Sequence, residues 1–310
     1  MVSYCLTIHQ PVQGFVHEYA ARLTAFEFLN SGPQSKKVVL FIGGLTDGLM
    51  NVPYLPDLAA GLDKIGWTLV QIHFSSSYLG WGTGSLKRDA EEIGQLVEYL
   101  RSERGGSREK IVLMGHSTGC QDIIQYFSKY APEESSKHVE GGIIQASISD
   151  REAIYLELEK QGKGWKELEE MNQFAQTYVD EGRPLDVLPG RYSDLFLGAP
   201  LNAYRWLSLA SKLGDDDFFS SDLTPEDNAK TFGAVYRPIC VLYSEADEYV
   251  PSFVDRRAIF NQWKSVTPPG MWSEHSDFIP GALHNVGPGS APGGVEFTVN
   301  KVVKFCKEFD

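Results

Sequence analysis

Gly115-His116-Ser117-Thr118-Gly119 constrains this chain more than any other stretch, because of what flanks it. On one side lies Lys110 to Met114 (KIVLM), an unbroken apolar, β-branched run that reads as a strand buried on both faces. On the other, Ile123, Ile124 and Phe127 fall at helical spacing. A strand that turns into a helix within five residues needs a sharp bend. The two glycines, lacking a Cβ, permit one that lifts the Ser117 hydroxyl above the sheet edge. The alternative is a plain Gly-rich turn between strand and helix, and the flanking pattern disfavours it.

The same grammar recurs along the chain. Lys37 to Ile42 (KVVLFI) is an apolar run ending in Gly43-Gly44-Leu45-Thr46-Asp47-Gly48, followed by a helical pattern from Tyr54 to Ile65. Trp67 to Phe74 predicts a second strand, Ser75 to Gly84 a Gly-rich loop, and Leu86 to Arg101 a helix with Ile93, Leu96, Val97 and Leu100 on one side. Val139 to Ser147 repeats the strand pattern, as does Pro238 to Tyr243, and Val295 to Phe309 predicts a closing helix. Segments before Ser31 read as leading antiparallel strands. Strands alternating with helices in this way predict an α/β fold with a mostly parallel central sheet and flanking helices.

The rhythm breaks from Ser149 to about Gly233. Glu152 to Glu181 is charged and helical in composition, an apolar segment follows from Ala203 to Leu213, and Asp215-Asp216-Asp217 comes after it. An insertion of this size between two strands predicts a mostly helical cap, residues 149–233, on a core made of 1–148 and 234–310. The three adjacent aspartates, with no interleaved ligands, are expected to be a solvated loop rather than a cation site. Thr267 to Gly294, rich in Gly and Pro, is expected to be irregular.

Composition sets outer limits. Among 310 residues, 28 Lys and Arg face 41 Asp and Glu, a formal charge of −13 that repels phosphate backbones and anionic headgroups. Nucleic acid and membrane surfaces are disfavoured as partners. No window offers ~18 uncharged apolar residues, and Met1 to Ala20 lacks the basic and apolar regions of a secretion signal. Cys5, Cys120, Cys240 and Cys306 are scattered, without a CxxC pair, so reduced thiols in a cytoplasmic setting and no structural metal are expected. Cys120 is expected to be buried and inert in the first helical turn after Ser117. No nucleotide or zinc-protease motif stands in its required context, so no cofactor is expected.

Ser117 as a nucleophile requires a base, and the base an orienting acid, in the chain order Ser, acid, His. Asp247 stands just past the strand ending at Tyr243 and is the first choice as acid, with Glu245, Glu248 and Asp255 as rivals. His9, His17 and His73 precede Ser117, His116 adjoins it, and His138 precedes the acid. That leaves His284, in a loop before the last helix, as the preferred base and His275 as the alternative. Two backbone donors must face the developing oxyanion. Thr118 supplies one, and Leu45 the other, with Gly44 behind it. Tyr78 and Trp81, with Trp206 from the cap, are candidates to line an acyl pocket, although aromatics in such segments are more often packing residues.

The segments GGLTDGL (43–49), GHSTG (115–119), SEADEYVP (244–251) and GALHNV (281–286) together resemble the α/β-hydrolase superfamily across nearly the whole chain. YLGWGTGSL (78–86) and SISDREA (147–153) resemble, more narrowly, a fungal group that includes intracellular siderophore esterases. The resemblance implies Ser117, Asp247 and His284 as a catalytic triad. By analogy it also implies an ester substrate, an iron siderophore of the fusarinine type. The expectation is therefore a serine ester hydrolase acting on a small molecule. Its rivals are an acyltransferase using the same triad and a non-catalytic binding protein of the same fold; oligomeric state is not readable from the sequence.

Overall fold

The computed structural model describes residues 10–29, 31, 35–130 and 134–310. Eight strands among them form one sheet: β1 (Gly14–Ala20), β2 (Leu23–Phe28), β3 (Lys37–Ile42), β4 (Trp67–His73), β5 (Lys110–His116), β6 (Gly141–Gln145), β7 (Ile239–Ser244) and β8 (Asp277–Ile279). Their spatial order is β1-β2-β4-β3-β5-β6-β7-β8. The leading β1 and β2 pair antiparallel with each other and with β4, and every later pairing is parallel. The expected α/β-hydrolase architecture is thus realised.

Parallel pairing explains the continuous apolar runs, since both faces of each central strand are covered. Val38, Leu40 and Ile42 of β3 join one core, as do Ile111 and Leu113 of β5. Helices α2 (Leu86–Arg101), α3 (Gly119–Gln125) and α9 (Arg256–Val266) bury their apolar stripes in that core. Val39, Phe41, Val112 and Met114 point the other way, onto α1 (Leu55–Asp63) and α10 (Gly294–Lys307). The side-chain period of two sorts each strand between the two layers.

Between β6 and β7 lie α4 (Asp150–Lys160), α5 (Gly164–Asp180), α6 (Gly190–Ser193), α7 (Ala203–Ala210) and α8 (Pro225–Ala229). The charged stretch expected to be helical is two helices, split where Gly162 and Gly164 take left-handed backbone at φ +75° and +59°. A third apolar cluster, including Ile154, Leu168, Met171, Tyr192, Trp206 and Leu209, holds the cap together. Trp81 is buried in it and Leu45 packs against it, so the cap rests on loops that leave the carboxyl ends of β3 and β4.

Two expectations are corrected here. The Thr267 to Gly294 stretch is not wholly irregular, because Asp277–Ile279 adds β8 to the sheet edge beside β7. The three aspartates are not a solvated loop. Only Asp215 is exposed; Asp216 and Asp217 are buried. Asp216 accepts from the buried Arg205 guanidinium at 2.5 Å and from the Ser208 hydroxyl, and Asp217 accepts the Leu213 N–H at 2.8 Å and the Ser220 hydroxyl. Those partners lie 3 to 11 positions away, which is why a run of like charges in sequence becomes a set of separately neutralised carboxylates.

Candidate functional site

Parallel strands deliver their following loops to a single edge, where α/β folds bind ligands. The loops after β3, β5, β6, β7 and β8 carry Gly44-Leu45, Ser117, Ser147, Asp247 and His284 respectively. At the end of β5 the backbone of Ser117 is left-handed, φ +54°, a conformation that costs a side-chain-bearing residue on the order of 1 kcal/mol. The surroundings hold it there. The Ser117 N–H donates to the Gln145 carbonyl at 3.1 Å, and the Ser117 carbonyl accepts the Cys120 N–H at 2.8 Å. A Cβ on Gly119 would collide with the Ile42 carbonyl oxygen, so only glycine lets the start of α3 lie this close to the end of β3. Cys120 is buried, and burial pushes its thiol well above the usual range, as expected of an inert cysteine.

Asp247 follows β7 and is buried, with one carboxylate oxygen accepting the Tyr249 N–H at 3.1 Å. Its other oxygen, Oδ2, lies 2.7 Å from Nδ1 of His284. An Nδ1–H donated to that carboxylate leaves Nε2 bare, the tautomer a general base requires. The His284 ring is wedged between two others, 4.9 Å from His116 and 4.9 Å from Tyr249. His116 is the immediate neighbour of Ser117, so this packing sets the His284 imidazole against the turn that carries the hydroxyl. Burial opposes charge on His284, but Asp247, by charge and hydrogen bond, and then Glu248 and Asp47 outweigh it and raise the imidazole above its ordinary 6.5.

Each rival has other partners. Glu248 accepts the backbone N–H of His284 at 2.8 Å, Glu245 accepts that of Gly281 at 3.0 Å, and Asp255 caps α9 through the N–H groups of Arg257 and Ala258. His275 lies 3.3 Å from Glu308, near the end of α10. His17 pairs with Glu27 and His73 with Thr24, while His9 lies outside the described residues.

The loop after β3 narrows the choice between Gly44 and Leu45. The Gly44 N–H donates to Asp47 Oδ2 at 2.8 Å, while the Asp47 N–H donates back to the Gly44 carbonyl at 3.1 Å. That closed turn occupies the Gly44 donor. The N–H groups of Leu45 and Thr118 have no protein acceptor among the described residues. A Cβ on Gly44 would sit 2.6 Å from the Ser117 Cβ and 3.0 Å from its Oγ, so the loop lies directly against the nucleophile candidate. Burial raises the Asp47 carboxyl, and the Gly44 N–H opposes that rise. Asp47 and Gln145 have no place in the sequence reading, and Glu248 enters it only as a rival acid; in Asp47 the sole signal is a carboxylate inside a glycine-rich loop.

The aromatic candidates separate. Tyr78 is half exposed, with its backbone N–H bonded to the Asp47 carbonyl at 2.8 Å. Trp81 is buried edge-on against Phe196 at 5.1 Å. Trp206 is fully enclosed in the cap, its indole N–H donating to Asn172 at 2.8 Å, which makes it a packing residue rather than part of a pocket wall. Among the described residues no group of His, Cys, Asp and Glu is arranged to hold a metal ion, and no helix is long and apolar enough to cross a membrane.

Residues 7–307 match the family described as "Protein of unknown function (DUF1749)". The chain is 39% identical to a UPF0613 protein of Schizosaccharomyces pombe, over 96% of this chain and 97% of that one. It is 36% identical to the fusarinine C esterase sidJ of Aspergillus fumigatus, over 94% and 95% of the two chains. Among solved structures, the siderophore hydrolase EstB from Aspergillus fumigatus superposes with a TM-score of 0.80 at 34% identity, covering 96% of this chain and 98% of that one. The chain belongs to the DUF1749 family, within the α/β-hydrolase superfamily and alongside the fungal siderophore esterases.

Proposed function

We propose that this protein is a carboxylic ester hydrolase that opens ester bonds of fusarinine-type and triacetylfusarinine-type hydroxamate siderophores through an acyl-enzyme on Ser117, releasing iron in the cytoplasm. The observation that carries the reading is the 2.7 Å His284–Asp247 pair, whose imidazole packs 4.9 Å from His116, the residue before a left-handed Ser117. The substrate class is supported by relatives named fusarinine C esterase and siderophore hydrolase.

In this mechanism His284 Nε2 takes the Ser117 proton as Oγ attacks the ester carbonyl, and Asp247 stabilises the imidazolium that forms. The carbonyl oxygen, now an oxyanion, receives the unused N–H groups of Leu45 and Thr118. The tetrahedral intermediate collapses, the alcohol leaves with the proton from His284, and water activated by the same imidazole releases the acid. The cap helices, resting on the Leu45 loop, border the site and are assigned the shaping of the acyl and alcohol pockets.

The test is a substrate panel of aryl esters, lactones, and iron-loaded and iron-free fusarinine-type siderophores. The siderophore esters should give the highest kcat/KM, and Ser117→Ala should lower kcat by at least ~10³-fold without changing the fold. A Ser117→Ala protein with wild-type turnover would remove the mechanism. Hydrolysis of short aryl esters with none of the siderophores would remove the substrate.

A further inference from the structure

We infer that Gln145 is a positioning residue of this site: its side-chain amide holds the main chain of His284 and the ring of His116 in place, and its carbonyl anchors Ser117. The inference rests on the serine hydrolase reading above and adds a fourth residue to it.

Gln145 is the last residue of β6 and is fully buried. Its backbone carbonyl accepts the Ser117 N–H at 3.1 Å and faces the Cys120 thiol at 3.1 Å. Its side chain touches four groups. Oε1 lies 3.0 Å from the Tyr54 hydroxyl and 2.7 Å from His116 Nδ1, while Nε2 lies 3.0 Å from the Ser244 hydroxyl and 3.1 Å from the His284 carbonyl oxygen. Two acceptor sites and two N–H donors are all used, the full capacity of an amide.

One partner fixes which way the amide faces. The His284 carbonyl can only accept, so the opposite rotamer would set two oxygens against each other inside a buried site. With Nε2 toward His284, Oε1 faces His116, and His116 must then carry its proton on Nδ1. A single uncharged side chain therefore ties β5, which carries the nucleophile candidate, to the loop after β8, which carries the base. Burial, with the neighbouring His284, pushes the His116 pKa down to about 3, so the ring beside the base stays neutral while His284 gains its proton.

Long-range ¹H–¹⁵N spectra of ¹⁵N-histidine protein, with His116 assigned by His116→Gln, test the orientation in the wild-type chain. The expected pattern at neutral pH is the Nδ1–H tautomer; the Nε2–H tautomer would overturn the inference even if every Gln145 variant failed to fold. Kinetics test the consequence. Gln145→Met should lower kcat, and the rate of fluorophosphonate labelling of Ser117, ten- to a hundred-fold with KM within three-fold, whereas Tyr54→Phe, which removes one donor to Oε1 but leaves the bonds to His116 and His284, should stay within three-fold in both. A folded Gln145→Met protein that labels at the wild-type rate would overturn it. Failure of the wild-type protein to label at Ser117 would instead sink the hydrolase reading itself.

Discussion

The backbone of Ser117 is held in an unfavourable region, and the groups around it leave little room for adjustment. Gly44→Ala would place a methyl 2.6 Å from the Ser117 Cβ. Because displacement of a reacting group by about 1 Å costs roughly 10²-fold, we expect kcat to fall by about that factor and the thermal midpoint to fall with it. Near-wild-type kcat would show that the loop does not press on Ser117. The base gives a pH prediction with a definite sign. His284 must be neutral to accept a proton, and its pKa is raised above 6.5, so kcat/KM should fall as pH drops through a limb lying above that value. Asp247→Asn removes the larger of the raising influences; its limb should move down and kcat should fall by about 10⁴-fold. A limb that stays in place would mean that another group titrates. At this scale the residues that the sequence singles out, Ser117, Asp247 and His284, are those whose chemistry and chain order are distinctive, and the structure pairs the last two. The sequence does not point to Gln145 and offers Glu248 only as a rival acid; both are ordinary polar residues whose partner, His284, lies 139 and 36 positions away.

Among the elements, the central strands were legible because burial on both faces writes itself as an apolar run, and α2 because its apolar stripe has helical spacing. β8 was not, since three residues in a Gly- and Pro-rich stretch carry no periodicity. The helices between β6 and β7 are visible in the sequence as an interruption of the rhythm, but their polar interior is not. Arg205 of α7 is buried on Asp216, and its charge also reaches Asp89 on α2 and Asp150 at the start of α4. Removing one member of a buried ion pair costs about 3–5 kcal/mol because the other charge is stranded. Arg205→Met should therefore lower stability by about that amount in urea unfolding, and adding Asp216→Leu should recover much of it. A loss below about 1 kcal/mol for the single variant would mean that Asp216 finds solvent and the cap interior is wetter than its burial implies.

For the whole molecule, the parallel arrangement of β3 to β8 accounts for the meeting of residues separated by more than 160 positions. The six loops after β3 to β8 leave the same sheet edge, and the −13 charge of the chain sets a field that disfavours polyanions without preventing a small ester from reaching that edge. The fold class was readable from repeated strand, turn and helix units, whereas the exact meeting of loops depends on strand order, which local pattern does not encode. The central claim is that Ser117, His284 and the two free N–H groups act on one carbonyl. A crystal structure of the protein inactivated by an organophosphonate tests it most directly. Phosphorus should be bonded to Ser117 Oγ, with the phosphoryl oxygen about 3 Å from the backbone nitrogens of Leu45 and Thr118 and His284 Nε2 within hydrogen-bond reach. An adduct on another residue, or a phosphoryl oxygen turned away from both nitrogens, would contradict it.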